Sequence, residues 1–166
     1  MNNNNLKGTA VYAAQSAGKI LISHFGKIGQ MDIIKNKQRD FTTKVDLEAE
    51  RAIIKILKKK TPTYNITAEE TGAQRHRSIF TWIVDPLDGT ANYSIGNPFF
   101  DVSIALVKDR DPVLAVVYAP IVDWLFVAEK NRGAKLNDQK IKVSSKNKLK
   151  NCLNSYCRGN DDILSL

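Results

Sequence analysis

The sequence has little that would staple, disorder or embed a chain. Two cysteines, Cys152 and Cys157, among 166 residues are too few for a disulfide scaffold, so a reducing compartment is expected. Nine glycines and five prolines exclude collagen-like and Pro/Gly-rich disordered chains. The longest apolar run, Val113 to Val122, contains Pro120 and falls well short of the ~20 residues of a membrane-spanning helix. The first residues, Met1 to Asn5, lack the basic and apolar regions of a signal peptide. A cytoplasmic chain without a membrane segment is therefore expected. Acidic residues are also in deficit, 17 against 25 basic, for a net charge of +8. The excess gathers in 130–150, where Asp138 is the lone acid and no aromatic interrupts. Without interleaved aromatics the stretch reads as a solvated, anion-attracting face rather than a nucleic-acid site.

Apolar periodicity predicts a helix over Thr9–Phe25, stopped by Gly26 and Gly29, and a second over Val45–Lys60 with Pro62 just beyond. Lys58, Lys59 and Lys60 suit the negative end of the second helix. The period then shortens, which predicts strands at Tyr64–Thr67, Phe80–Val84, Phe99–Val107, Val113–Ala119, Trp124–Ala128 and Lys140–Val143, with another at Cys152–Tyr156. Helices followed by antiparallel strands give an α+β fold, a layered sandwich of paired helices on a sheet. Residues 1–150 read as one domain and 151–166 as the beginning of a second.

The chemistry concentrates in Trp82-Ile-Val-Asp85-Pro86-Leu87-Asp88-Gly89-Thr90. An apolar strand runs into Asp85, and Pro86 turns the chain. Two carboxylates three residues apart across such a turn, with the Leu87 carbonyl between them, can offer hard oxygens to Mg²⁺. Gly89 permits close backbone approach, and a helix starting at Thr90 would present free N–H groups to an anion. Taken alone the segment is equally a polar β-turn. Glu69 and Glu70 follow a predicted strand, where adjacent carboxylates are costly without a cation, although a solvated loop would also hold them. Asp46, at the front of the second helix, reads by itself as a first-turn charge. His24 and His76 are not site candidates, and the two cysteines make a poor metal pair.

Together these residues resemble the inositol monophosphatase family of Mg²⁺-dependent, lithium-sensitive phosphatases. The resemblance rests on Asp40-x-x-Thr43-x-x-Asp46, Glu69-Glu70 and Trp82 through Asn92-Tyr93. It continues through Pro98-Phe-Phe-Asp101-Val-Ser-Ile-Ala-Leu106, Val116-Val-Tyr-Ala-Pro120 and Gly133-Ala-Lys-Leu-Asn137. It implies that Glu69, Asp85 and the Leu87 carbonyl hold one metal and that Asp85 and Asp88 share a second. Glu70 would support a third, or its waters. Gly89 and Thr90 would hold the phosphate by their N–H groups, lined by Asp88 and Glu69. Thr90, hydrogen-bonded to Asp46, would orient the attacking water, and Lys35 matches a lysine on a mobile loop near the site. The implied substrate is a small phosphate ester, an inositol or sugar monophosphate, and the implied quaternary state allows a homodimer.

Three departures stand out. Ala68 occupies a position usually held by Gly, and Tyr93 one usually held by Phe. A second half, carrying a Trp-Asp-x-Ala segment that completes the second metal site, is not matched, since neither Trp82 nor Trp124 is followed by Asp. Residues 1–166 alone are therefore expected to be inactive and to present an apolar face around the Phe99–Val107 and Cys152–Tyr156 strands. Alternative readings are a 3′-phosphoadenosine nucleotidase, a fructose-1,6-bisphosphatase, or a non-catalytic, RNA-associated homologue.

Overall fold

Helix α1 spans Asn3–His24. It starts six residues before the predicted boundary, because Leu6 extends the buried stripe of Ala10, Ala13, Ala14, Ala17 and Leu21 by one more turn. The structure, a computed structural model, describes residues 3–27, 33–37 and 40–152. Small residues on that stripe let α1 lie close to α2 (Lys44–Lys60), and both helices pack on one face of a sheet. Helix α2 buries Val45, Ala49, Ile53, Ile54 and Leu57. Its N-terminus is closed by a capping box in which Thr43 and Asp46 exchange hydrogen bonds.

The hairpin β1 (Ile33–Lys37) and β2 (Asp40–Thr43) leads into α2. The main sheet has eight strands: β3 (Asn65–Ala68), β4 (Gly72–Gln74), β5 (Phe80–Asp88), β6 (Asp101–Lys108), β7 (Asp111–Ala119), β8 (Trp124–Glu129), β9 (Gly133–Leu136) and β10 (Gln139–Ile141). Their order is β10-β9-β8-β7-β6-β5-β3-β4. Every pair is antiparallel except β3 with β5, which run parallel. The α+β layering expected from the sequence is present, with this one parallel pair making the sheet mixed. A short 3-10 turn follows at Leu149–Asn151. The expected strand at Cys152–Tyr156, and Cys157, lie outside the described residues apart from Cys152 itself. Among the described residues no helix is long and apolar enough to cross a membrane.

Trp82 fills the layer between α2 and the sheet with no exposed surface, and its indole N–H donates to Thr61 Oγ1 at 2.9 Å. Thr61 Oγ1 donates in turn to the Leu57 carbonyl at 2.8 Å. The end of α2 is thus bonded to the middle of β5, the strand that delivers Asp85 and Asp88. Alternation along the central strands sends Val102, Ile104, Leu106, Leu114 and Val116 into the helix-covered core. The opposite face presents Ile83, Ala105, Ala115 and Ala128, in register across four strands. Ile83 there is half-exposed, and Phe99 beside β6 is 77% exposed.

Candidate active site

Strand β5 continues through Pro86 to Asp88, where the sequence predicts a strand end at Asp85 and a turn at Asp88. The reason is local. Proline has no N–H for the ladder, so the pairing of β5 with β6 skips from Asp85↔Ser103 to Asp88↔Asp101 through an irregularity. This bulge-like kink re-aims the side chains without ending the strand. The Leu87 N–H donates to Asp85 Oδ1 at 3.1 Å and pins that carboxylate over the kink.

Gly89 follows with φ +93°, and a Cβ at this position would sit 2.8 Å from the Phe99 carbonyl oxygen. Only glycine accommodates both demands. The Asn92 side-chain amide donates to the same Phe99 carbonyl at 2.8 Å, so the loop to β6 is fastened back onto the turn. Helix α3 (Thr90–Ser94) begins where the sequence predicts one. Tyr93 is buried against Phe25 and Phe100, and its hydroxyl donates to the Leu21 carbonyl at 2.6 Å. The phenol that departs from the usual Phe thus bonds α3 to α1.

Asp46 has only 1% of its surface exposed. Its Oδ2 accepts from the Thr43 N–H at 2.9 Å and from the Thr43 hydroxyl. Its Oδ1 faces Thr90 Oγ1 at 3.3 Å, while Thr90 Oγ1 also lies 3.0 Å from the Leu87 carbonyl. The single Thr90 proton is therefore shared between Asp46 and the Leu87 carbonyl. Burial raises the Asp46 pKa, and the Thr43 and Thr90 hydrogen bonds oppose that rise.

Glu69 stands at the end of β3, level with β5 through a bond from its N–H to the Val84 carbonyl at 3.1 Å. Its carboxyl meets that of Asp85. Burial, the hydrogen bond to Asp85 and the charges of Asp85, Glu70 and Asp46 push Glu69 up to about 8. Burial also raises Asp85, helped by the charge of Asp88 and opposed by the Glu69 hydrogen bond. The two carboxyls thus share a proton as a pair.

Two residues absent from the sequence-based site belong to this neighbourhood. Glu50 is fully buried in α2, and its carboxylate accepts from the Glu70 and Thr71 N–H groups at 2.8 and 3.0 Å. It holds the backbone that presents the two glutamates. Asp101 lies opposite Asp88. Burial, then the charges of Asp88 and Asp85, raise its carboxyl to about 6. The alternation Val102, Ile104, Leu106 into the core was the signal that turns Asp101 toward the face of Asp85; for Glu50, its place on the buried stripe beside Ala49 and Ile53 was the signal. Lys35 lies in strand β1, paired with Thr42, rather than on a loop, and its side chain is outside the described residues.

Carboxylates packed together raise one another's pKa, and a cation among them would relieve that repulsion. Among the described residues no three acidic, His or Cys side chains already close around one point as a cage. Glu69 and Asp85 share a proton, as two close carboxyls do. The donor set is all oxygen, which fits Mg²⁺.

The raised pKa values have a sign. A carboxyl that binds its proton more tightly folded than unfolded stabilises the fold at low pH, and that stability is lost as pH rises from its ordinary value to its folded value. For Glu69 the window runs from 4.5 to about 8. The melting temperature of the metal-free protein is therefore expected to fall across that window. Added Mg²⁺ should reduce the fall, because the ion replaces the shared proton. A melting temperature flat with pH, with or without Mg²⁺, would contradict the electrostatic account.

Comparison with known proteins decides the lineage. The profile of the inositol monophosphatase family matches residues 2–163. The chain belongs to that family. A relative named Nus factor SuhB from Xylella fastidiosa is 42% identical over 84% of this chain and 50% of its own length. A fructose-1,6-bisphosphatase/inositol-1-monophosphatase from Aquifex aeolicus is 38% identical over 85% of this chain and 53% of its own. The crystal structure of extragenic suppressor protein SuhB from Bartonella henselae superposes with a TM-score of 0.82 at 37% identity, covering 85% of this chain and 55% of that one. A Thermotoga maritima inositol monophosphatase gives 0.75 at 34%, covering 81% and 52%. The chain spans about half the length of the curated relatives it matches.

Proposed function

We propose that this chain carries the metal- and phosphate-binding part of a Mg²⁺-dependent phosphomonoesterase acting on an inositol monophosphate or similar sugar phosphate in the cytoplasm. The observation that supports it best is the pairing of the Glu69 and Asp85 carboxyls, with the charge of Asp88 acting on Asp85, beside an Asp46–Thr90 pair and a glycine turn too tight for any side chain. Glu69, Asp85, the Leu87 carbonyl and Asp88 would hold Mg²⁺, which when bound supplies charge to a phosphoryl group and acidifies water.

The chain's own residues do the rest. The Gly89 and Thr90 N–H groups, at a helix entry where amides lack intrahelical acceptors, bind phosphate oxygens. Asp46 draws the Thr90 proton, which leaves a Thr90 lone pair to accept from a water and aim it at phosphorus. Glu70, fixed at its N–H by Glu50, holds further water at the rim. Residues 1–150 form this unit in the reading, and 151–166 lead into a second. The relatives are about twice as long, and the resemblance assigns a further ligand Asp to that second portion. Residues 1–166 alone are accordingly expected to release little or no phosphate; lithium-sensitive turnover by a clean monomer of 1–166 would overturn that.

The test of substrate class is competition in the complete enzyme among an inositol monophosphate, fructose 1,6-bisphosphate and a 3′-phosphoadenosine. The inositol ester should have the highest kcat/KM. Preference for the bisphosphate or the nucleotide would move the assignment within the fold.

A second reading is a binding role with nucleic acid. It is favoured by relatives named Nus factor and by the basic segment 130–150. Three of its cations are already engaged, Lys130 with Asp111, Arg132 with Glu129 and Lys135 with Asp138. RNA binding whose affinity falls steeply with salt would support this reading; absence of binding at low salt would remove it.

A further inference from the structure

The acidic cluster contains one carboxylate that no role above uses. Asp101 opens β6 and pairs across the sheet with Asp88. It sits one alternation before Ser103, which pairs with Asp85, so Asp101, Ser103 and Asp85 share one face of the sheet. Its Oδ1 is shut off from solvent and has no hydrogen-bond partner. Among the described residues no lysine, arginine or histidine forms an ion pair with it. Like charges directly opposite on neighbouring strands are destabilising, and an enclosed carboxylate oxygen without a donor is more so. A structural aspartate would have drawn a hydroxyl, an amide or a cationic side chain to that oxygen. This one faces other carboxylates.

We propose that Asp101 is a further oxygen donor to the cation held at Asp85 and Asp88, making the metal centre of this chain richer by one carboxylate than the set read from its motifs. The inference rests on the metal-site reading given above. A divalent ion between the facing aspartates neutralises both at once and supplies the missing partner for Asp101 Oδ1. The replacement Asp101→Asn keeps size and shape and removes the charge.

The experiment titrates Mn²⁺, a paramagnetic substitute for Mg²⁺, into the full chain and counts free ion by electron paramagnetic resonance. Each protein is also melted with and without the ion. The proteins are wild type, Asp101→Asn, Asp101→Ser and Asp85→Asn. Asp101→Asn and Asp101→Ser should bind Mn²⁺ at least ~10-fold more weakly than wild type, the lower end of what metal-site partners contribute. Both should melt higher than wild type without metal, because a repulsion is gone, and should gain less from Mn²⁺. A merely structural aspartate would give the reverse: a lower metal-free melting point and an unchanged gain. Mn²⁺ affinity unchanged in both Asp101 variants, alongside loss in Asp85→Asn, overturns the inference and leaves the metal-site reading intact. Absence of Mn²⁺ binding by the wild type overturns both.

Discussion

Replacing Thr90 by alanine is expected to lower turnover of the complete enzyme by about 10²-fold or more while leaving metal affinity nearly unchanged. Thr90 Oγ1 stands 3.3 Å from Asp46 Oδ1 and 3.0 Å from the Leu87 carbonyl, and it supplies no carboxylate to a cation. What it supplies is direction: its proton is committed to Asp46 or to Leu87, so its lone pairs are fixed in space. Asp46 is itself fixed by Thr43 from the capping box. Serine at position 90 keeps the hydroxyl and should retain most of the rate. A kcat loss in Thr90→Ala, rescued in Thr90→Ser, is the pattern of a positioned hydroxyl. An equal loss in both would point to packing of the threonine methyl, and unchanged turnover in Thr90→Ala at saturating Mg²⁺ would contradict the mechanism.

Glu69→Gln is expected to move stability and metal affinity in opposite directions. In the metal-free protein near pH 8, Glu69 is surrounded by the charges of Asp85, Glu70 and Asp46, which with burial push its carboxyl up. A neutral amide that still donates to Asp85 keeps the hydrogen bond and removes the repulsion, so the variant should melt higher than wild type at that pH. At about pH 4.5, where Glu69 is protonated in the folded protein, the advantage should vanish. The same change removes a charge from the proposed ligand set, so affinity for Mg²⁺ should fall at least ~10-fold, in keeping with the sensitivity of metal sites to their immediate partners. Melting curves at the two pH values, with and without Mg²⁺, measure both effects. A variant less stable than wild type at high pH would show that the cluster is held by its charge rather than strained by it.

The layered fold was legible because its signals are local. Strands β5 to β8 alternate or run apolar, and the stripe of α2 follows the helical period. What escaped was non-local or faint. Strands β4 and β9, Gly72-Ala-Gln and Gly133-Ala-Lys-Leu, are too short and polar to announce themselves. The parallel pairing of β3 with β5 depends on which edge a distant strand chooses. Around the site, Pro86 reads as the end of a strand, yet its missing N–H is absorbed by a kink, and β5 carries Asp88 onward to face Asp101. Asp46 reads as a first-turn charge. The Thr43-x-x-Asp46 spacing permits a capping box, but only the tertiary approach of α3 brings Thr90 to the other carboxylate oxygen. Glu50 lies on the buried stripe of α2, but nothing local shows that the Glu69–Glu70 backbone will settle above it.

The central claim is that this carboxylate cluster is a divalent-cation site. Calorimetric titration of Mg²⁺ into the full chain at pH 8, repeated with Asp85→Asn, tests it most directly, because Asp85 is the carboxylate common to both proposed metal positions. The account predicts saturable binding by the wild type, accompanied by proton release as the Glu69–Asp85 pair surrenders its shared proton, and loss of both signals in the variant. Binding of equal strength in Asp85→Asn, or no binding by the wild type, would contradict it.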